Sequence, residues 1–280
     1  MLTPQPKRAA LYAVYAWMRC ADDLADDSPG PITGGLRLDA FEQQTAATLD
    51  AAGTLVDTDA LWPSVQQTMR EYPIQRVWLD EALAGLRADQ GGTTIHTRGD
   101  LDRYCHEVAG TVGMICTAIW RSDVPRHEGE WPRALEFARV RGLAFQLTNI
   151  LRDVRADAEL RPARSYLPLD SYVEFGLTLQ DLLAWRDERK CAALMGYWVQ
   201  EARRLYDATA ELELLIPAEC RRSLVTMTRL YRTLLEQIGE EPRSVVSPER
   251  VRVATWRKLS ILMSSMRTPQ SVKSPTHATA

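Results

Sequence analysis

The stretch Arg141–Pro168, RGLAFQLTNILRDVRADAELRPARSYLP, decides how this chain is read. On a helix turning 100° per residue, Gln146, Asn149, Asp153 and Asp157 share an arc of about 80°. Leu147, Ile150, Leu151 and Val154 lie between them and are of the type that buries against neighbouring helices. A stripe of two amides and two carboxylates on an otherwise apolar helix needs partners, because unpaired interior carboxylates are costly. Those partners are cations, either guanidinium groups or hard metal ions held by oxygen ligands.

A second stretch, Leu11–Asp27, LYAVYAWMRCADDLADD, answers the first. Tyr15, Arg19, Asp22 and Asp26 fall within about 60° on a helix, with Asp23 roughly a quarter turn from Asp22. Aspartates four residues apart also occur on solvated helix faces, where Arg152 or Arg155 would neutralise them locally. Two such sets, each on an apolar helix with arginine nearby, point instead to carboxylates facing one another across a cavity. Mg²⁺ ions there could bridge the carboxylates to the oxygens of a diphosphate.

The chain has 280 residues, 45% of them hydrophobic, and a net charge of −3, the composition of globular material. It has no basic stripe interleaved with aromatics, so nucleic acid is not an expected partner. No apolar run reaches the length of a membrane span and no secretory leader opens the chain. Cys20, Cys105, Cys116, Cys191 and Cys220 are scattered and odd in number, which suggests neither zinc site nor disulfide framework. A reducing cytoplasm is the expected compartment.

Helical periodicity dominates throughout, and the fold class is all-α. Helices are expected at 8–26, 36–52, 59–71, 73–89 and 99–121. Further ones are expected at 130–157, 178–215, 217–238 and from Pro248 onward. Residues 27–35, DSPGPITGG, read as a turn-rich break. One catalytic domain over 1–266 is expected, with a polar, disordered tail at 267–280. Asp89 lies beside an apolar face, where it could point toward the same cavity, but reads first as a surface carboxylate at a helix end; His106 reads as a structural histidine.

The two stretches, with RSYLP after the second, resemble the aspartate-rich signatures of the squalene and phytoene synthase family. The resemblance runs from about Lys7 to Lys258. It implies an isoprenoid-synthase-type helical bundle around a central apolar cavity, and Mg²⁺-dependent head-to-head joining of two prenyl diphosphates. Carried over by position, it makes Asp22, Asp26, Asn149, Asp153 and Asp157 metal ligands, with Mn²⁺ able to replace Mg²⁺. Tyr15, Arg19, Gln146, Arg152, Arg164, Tyr166 and Tyr231 become substrate contacts, with Arg250 or Arg252 as a last cation.

YCHEVAGTVG, Tyr104–Gly113, resembles the segment that lines the prenyl pocket, which places Val108, Ala109, Val112 and Gly113 on the substrate tail. Gly110 and Gly113 are accordingly expected to open space for that tail, so that Gly113→Leu would spare stability and impair binding. Family members usually carry a Ser- and Phe-bearing segment ahead of the first aspartates, and here few residues precede them. The link between Asp157 and Arg164 also lacks the usual glycine and is longer.

The implied product is a linear hydrocarbon or its cyclopropylcarbinyl diphosphate precursor, formed without NADPH, since no dinucleotide fingerprint is present. Release of such a product implies peripheral association with the inner face of a membrane. Two rival readings are a terpene cyclase or head-to-tail prenyltransferase of the same fold, and a non-catalytic scaffold. The Gln-x-x-Asn-x-x-x-Asp spacing and RSYLP argue against the former. A scaffold would be expected to lose its carboxylates, and all four are retained.

Overall fold

The computed structural model describes residues 3–26, 31–53, 59–90, 93–125 and 129–266, with Asp26, Pro31, Ile32 and Met266 described at the backbone only. The first half comprises α1 (Lys7–Asp26), α2 (Pro31–Asp50), α3 (Leu61–Glu71), α4 (Arg76–Gln90), α5 (Arg98–Cys105) and α6 (Thr111–Trp120). The second comprises α7 (Glu130–Glu159), α8 (Leu169–Glu174), α9 (Leu179–Leu183), α10 (Glu188–Ala208), α11 (Leu212–Leu215), α12 (Ala218–Glu240) and α13 (Thr255–Met266). A π-helical turn, His106–Gly110, joins α5 to α6 without interrupting the helical path.

The 30-residue α7 is the central element, packed by α6 and the π turn on one side and by α10 and α12 on another. One apolar core lies around α7, α10 and α12, including Leu147, Leu151, Trp198, Tyr206 and Leu235. A second is built by α1–α4 with α6, around Trp17, Leu38, Leu79, Leu83 and Ile115. Between them sits a smaller cluster of Trp120, Ala138, Leu212, Ile216, Cys220 and Leu224. Lys7 ties this region to the start of α1: its ammonium donates to the Trp120 carbonyl at 2.9 Å and to Asp123 at 2.7 Å. Burying so many apolar side chains from several helices is what makes this a bundle.

The all-α expectation holds, and several expected boundaries do not. The expected helix over 178–215 is three. Thr178 and Asp181 form a capping box that starts α9. Trp185 then takes a positive φ of 47°, and Asp187 caps α10 through the Lys190 N–H. Capping residues inside a periodic run mark new starts, and here they override the periodicity. The helix expected from Pro248 begins only at Thr255, because residues 251–254 carry Val251 and Val253, β-branched residues that favour extended chain. The break expected at 27–35 is shorter, since α2 begins at Pro31, a residue suited to a first helical turn. The short α8 has no counterpart among the expected helices. The tail expected to be disordered, 267–280, lies outside the described residues. All five cysteines are free.

The two glycines of the π turn and α6 correct a sequence expectation. A Cβ built on Gly113 would stand 2.4 Å from the carbonyl oxygen of Ala138 on α7, and one on Gly142 2.3 Å from that of Ala109. One on Gly110 would meet His106 Nδ1 at 2.8 Å. These glycines permit backbone-to-backbone approach of α6 and α7. Packing holds them, although Gly113 also borders the cavity described next.

Candidate functional site

An apolar cavity of about 240 Å³ runs between α6, α7 and α12. One wall, formed by the π turn and α6, is built from residues recurring about every four positions: Val108 and Ala109, Val112 and Gly113, Cys116 and Thr117, then Trp120. The α7 wall runs from Ala138 to Asn149, eleven helical steps or about 16 Å of helix. The antiparallel crossing of α6 and α7, fixed by the Gly113–Ala138 and Ala109–Gly142 contacts, makes the two walls run in opposite senses.

The cavity therefore has two ends. At one stand Gln146, Asn149 and Tyr231, whose ring packs against Phe145 at a centroid distance of 4.6 Å. At the other, Trp120, Leu212 and Leu224 close an apolar floor. Arg141 lines the wall between, but its guanidinium is turned into the protein. It donates to Thr209 Oγ1 at 2.8 Å, to Thr228 Oγ1 at 2.6 Å and to the Thr209 carbonyl at 2.8 Å. A buried charge satisfied this fully leaves the cavity wall apolar.

Beside the polar end lies a second recess, of about 420 Å³, lined by Arg152, Arg250, Arg252 and Lys258, with Leu230, Leu234, Val251 and Val253 behind them. Tyr231 borders both spaces. An apolar slot and a cationic recess sharing one wall suit an amphiphile with an anionic head and a hydrocarbon tail.

Of the α7 stripe, Gln146 and Asn149 line the polar end of the cavity, Asp153 meets the recess through its arginines, and Asp157 lines a small separate pocket with Arg164, Ser165 and Tyr166. Asp153 is buried, and Arg152 donates to its two oxygens at 2.8 and 2.5 Å. Arg250 brings a second guanidinium to the same carboxylate, with Nε 2.5 Å from Oδ1. Burial alone would raise the Asp153 carboxyl, but these two arginines hold it below the ordinary carboxylate value. Four residues on, Asp157 is treated in the opposite way: burial first, and then the charge of Asp153, push its carboxyl up to about 7. The Asn149 Oδ1 is buried and accepts no hydrogen bond, while its amide nitrogen leans on Gln146 Oε1 at 3.4 Å.

An orphaned amide oxygen, a carboxyl raised by a neighbouring carboxylate and a paired carboxylate together form an all-oxygen donor set. Such a set fits a hard divalent cation, which would relieve the repulsion between Asp153 and Asp157. Among the described residues no three His, Cys, Asp or Glu side chains group tightly enough to chelate a metal on their own. The α7 set supplies two carboxylates and an amide, which leaves coordination positions for substrate oxygens.

On α1, Tyr15 is exposed and Arg19 pairs with Asp22 at 2.8 Å and with Asp23 at 2.5 Å. Asp23, off the expected stripe, thus shares the same guanidinium. The α1 and α7 sets belong to helices that both pack on α6. Asp26 closes α1, and its side chain lies outside the described residues.

The RSYLP segment differs from its expected role. Tyr166 is buried, stacks on Tyr104 with ring centroids 4.8 Å apart, and donates its hydroxyl to Asp89 at 2.8 Å. It borders neither the apolar cavity nor the cationic recess. Arg164 donates its backbone N–H to the Asp157 carbonyl at 3.0 Å, so the longer link still returns it to the carboxylate set. Asp89, expected at the surface, is 8% exposed.

Sequence reading missed Lys258 and the Arg141 anchor. Neither lies in a local pattern, and only the packing of α12 against α13 and α7 brings them here. A signal was present for the π turn, where glycine-rich helix coincides with a change of pitch, a feature concentrated at functional sites. Removing the repulsion at Asp157 has a measurable consequence in metal-free protein. Because its folded pKa is raised, Asp157 contributes a penalty that is absent near pH 4, grows as pH rises and is complete above about 7. Asp157→Asn is therefore expected to raise metal-free stability at pH 8 by on the order of 1–3 kcal/mol, and to change it little at pH 4. Urea unfolding at the two pH values checks this, and an equal effect at both would contradict it.

A family profile described as squalene/phytoene synthase matches residues 1–257. The phytoene synthase of Arthrospira platensis is 33% identical over 267 residues, covering 93% of this chain and 84% of that protein. Among solved structures, a dehydrosqualene synthase in complex with a ligand superposes with a TM-score of 0.79 at 27% identity, over 95% of this chain and 88% of that one. The squalene synthase HpnC from Alicyclobacillus acidocaldarius superposes with a TM-score of 0.75 at 25% identity, over 89% and 88%.

Proposed function

This chain belongs to the squalene/phytoene synthase family, and from that premise we propose that it joins two prenyl diphosphates of fifteen or twenty carbons head to head, with Mg²⁺ as its metal. The observation that carries the proposal is the apolar cavity meeting a cationic recess at Tyr231, with Gln146 and Asn149 of α7 at the cavity's polar end and Asp153 paired to the recess arginines.

Asn149, Asp153 and Asp157, with Asp22 and Asp26 of α1, would hold the metal; when bound, it supplies positive charge to the departing diphosphate. Arg152, Arg250, Arg252 and Lys258 bind and orient the diphosphate oxygens as their charge develops. Arg152 and Arg250 already rest on Asp153, so they are positioned to transfer from carboxylate to phosphate when ligands arrive. Arg19 and Tyr15, on the exposed face of α1, supply a second cation and a hydroxyl to the same head groups.

Loss of the first diphosphate leaves an allylic cation, which the double bond of the second substrate attacks; loss of a proton from the resulting cation closes the ring of a cyclopropylcarbinyl diphosphate. The walls from Val108 to Trp120, with Phe145 and Leu224, exclude the water that would quench that cation. Departure of the second diphosphate and rearrangement then leave a cation, which loses a second proton to give the linear hydrocarbon. No described helix is long and apolar enough to cross a membrane. Release of so apolar a product favours peripheral contact with a membrane face.

The test is diphosphate release from farnesyl and geranylgeranyl diphosphate. Excess EDTA is expected to stop it, and Mg²⁺, or Mn²⁺, to restore it. Full activity in excess EDTA would overturn the metal assignment.

A further inference from the structure

Asp89, near the end of α4, lies outside the α7 stripe and has no part in the chemistry above, yet the fold gives it three hydroxyl donors. Tyr104 on α5 donates at 2.9 Å, Tyr166 at 2.8 Å and Thr93 at 2.9 Å. Two further segments, carrying Tyr104 and Tyr166, thus converge with the end of α4 on one buried carboxylate, and the two tyrosine rings stack over one another. Burial raises the Asp89 carboxyl, while these hydroxyls and the charge of Arg164 pull it down.

The same node holds the RSYLP segment. Ser165 donates its N–H to the Thr93 carbonyl at 2.8 Å and accepts from the Ile95 N–H at 3.3 Å, an isolated parallel bridge in an otherwise helical protein. One residue earlier, Arg164 is bonded through its backbone to Asp157. The Arg164 charge acts on Asp89 and Asp157 alike, and the charge of Asp89 reaches Asp157. Arg164, Ser165 and Tyr166 line one small pocket with Asp157, so the segment that Asp89 holds through Tyr166 stands directly beside a stripe carboxylate.

We propose that Asp89 is a positioning residue for the second carboxylate set: through Tyr166 it fixes the Arg164–Leu167 segment and draws Arg164 back from Asp157. Arg164 then balances the charge at Asp157 without displacing a divalent cation. This rests on the reading of Asn149, Asp153 and Asp157 as the metal set. Without the Asp89 charge, Arg164 shifts toward Asp157 and competes with the metal. Without the Tyr166 hydroxyl, the segment loosens while the charge stays.

The test uses the full chain and two readouts. The first is the Mg²⁺ concentration that half-saturates binding of inorganic diphosphate, measured by titration calorimetry. The second is exchange of the Arg164 and Ser165 amides in metal-free protein. Asp89→Asn is expected to raise the Mg²⁺ midpoint about tenfold or more, as loss of a partner behind a metal ligand does elsewhere. Tyr166→Phe is expected to speed exchange at both amides and to raise the midpoint less.

In an Arg164→Ala background, Asp89→Asn should add no further shift, since the coupling runs through Arg164. A lower melting temperature with unmoved midpoints in both single variants would assign Asp89 to stability alone and overturn the proposal. So would equal shifts with and without Arg164. Parent protein that binds no diphosphate with Mg²⁺ would sink the metal-set reading and this inference with it, an outcome distinct from the other two.

Discussion

Asp153→Ala is expected to slow diphosphate release by about a thousandfold while the protein melts within a few degrees of its parent. The loss is large because Asp153 serves two roles at the junction of cavity and recess. It is a ligand in the proposed metal set, and it is the anchor on which Arg152 and Arg250 wait. The stability cost is small for a physical reason. The side chain of Arg250 is 48% exposed and that of Arg152 20%, so water takes over much of the solvation of both guanidinium groups. Removing one of two repelling carboxylates also relieves Asp157. Turnover measured beside thermal melting decides the matter. Near-normal activity, or a variant that does not fold, would contradict the assignment.

Gly113→Leu is expected to cost about 3 kcal/mol or more and to lower the melting temperature by roughly 6–12 °C. The obstacle is backbone: the added Cβ would lie 2.4 Å from the Ala138 oxygen and 3.1 Å from its carbonyl carbon, and neither can rotate away. Moving α6 from α7 would also open the reciprocal contact at Gly142, where a Cβ would meet the Ala109 carbonyl carbon at 2.7 Å. Gly113→Ala should destabilise too, against the gain of up to about 1 kcal/mol that alanine brings to a helix interior. Calorimetric melting of both variants checks this. A Gly113→Leu protein as stable as its parent would restore the sequence expectation that this glycine only makes room for a substrate tail.

The glycines show where sequence reading stops. YCHEVAGTVG places small residues on a helix, and that segment does line the cavity. Which face of each glycine meets a neighbouring backbone depends on how α6 crosses α7, and no local pattern carries that angle. The α7 stripe was legible because helical periodicity alone puts Gln146, Asn149, Asp153 and Asp157 on one side. Arg250 was legible only as one of two candidates, because the chain before α13 is extended and gives no period to align. Asp89 was read as a surface group because its three hydroxyl donors come from positions 93, 104 and 166. Thr93 is a near neighbour, but burial created by Tyr104 and Tyr166, 15 and 77 residues away, leaves no trace in the residues beside Asp89.

Product mass tests the central claim most directly. The protein with Mg²⁺ is incubated separately with farnesyl and geranylgeranyl diphosphate, without NADPH, and the extract is analysed. Head-to-head joining predicts a product with twice the carbon number of its substrate, as a hydrocarbon or as its cyclopropylcarbinyl diphosphate. A cyclised hydrocarbon of unchanged carbon number, a linear diphosphate joined head to tail, or recovery of unreacted substrate would contradict it.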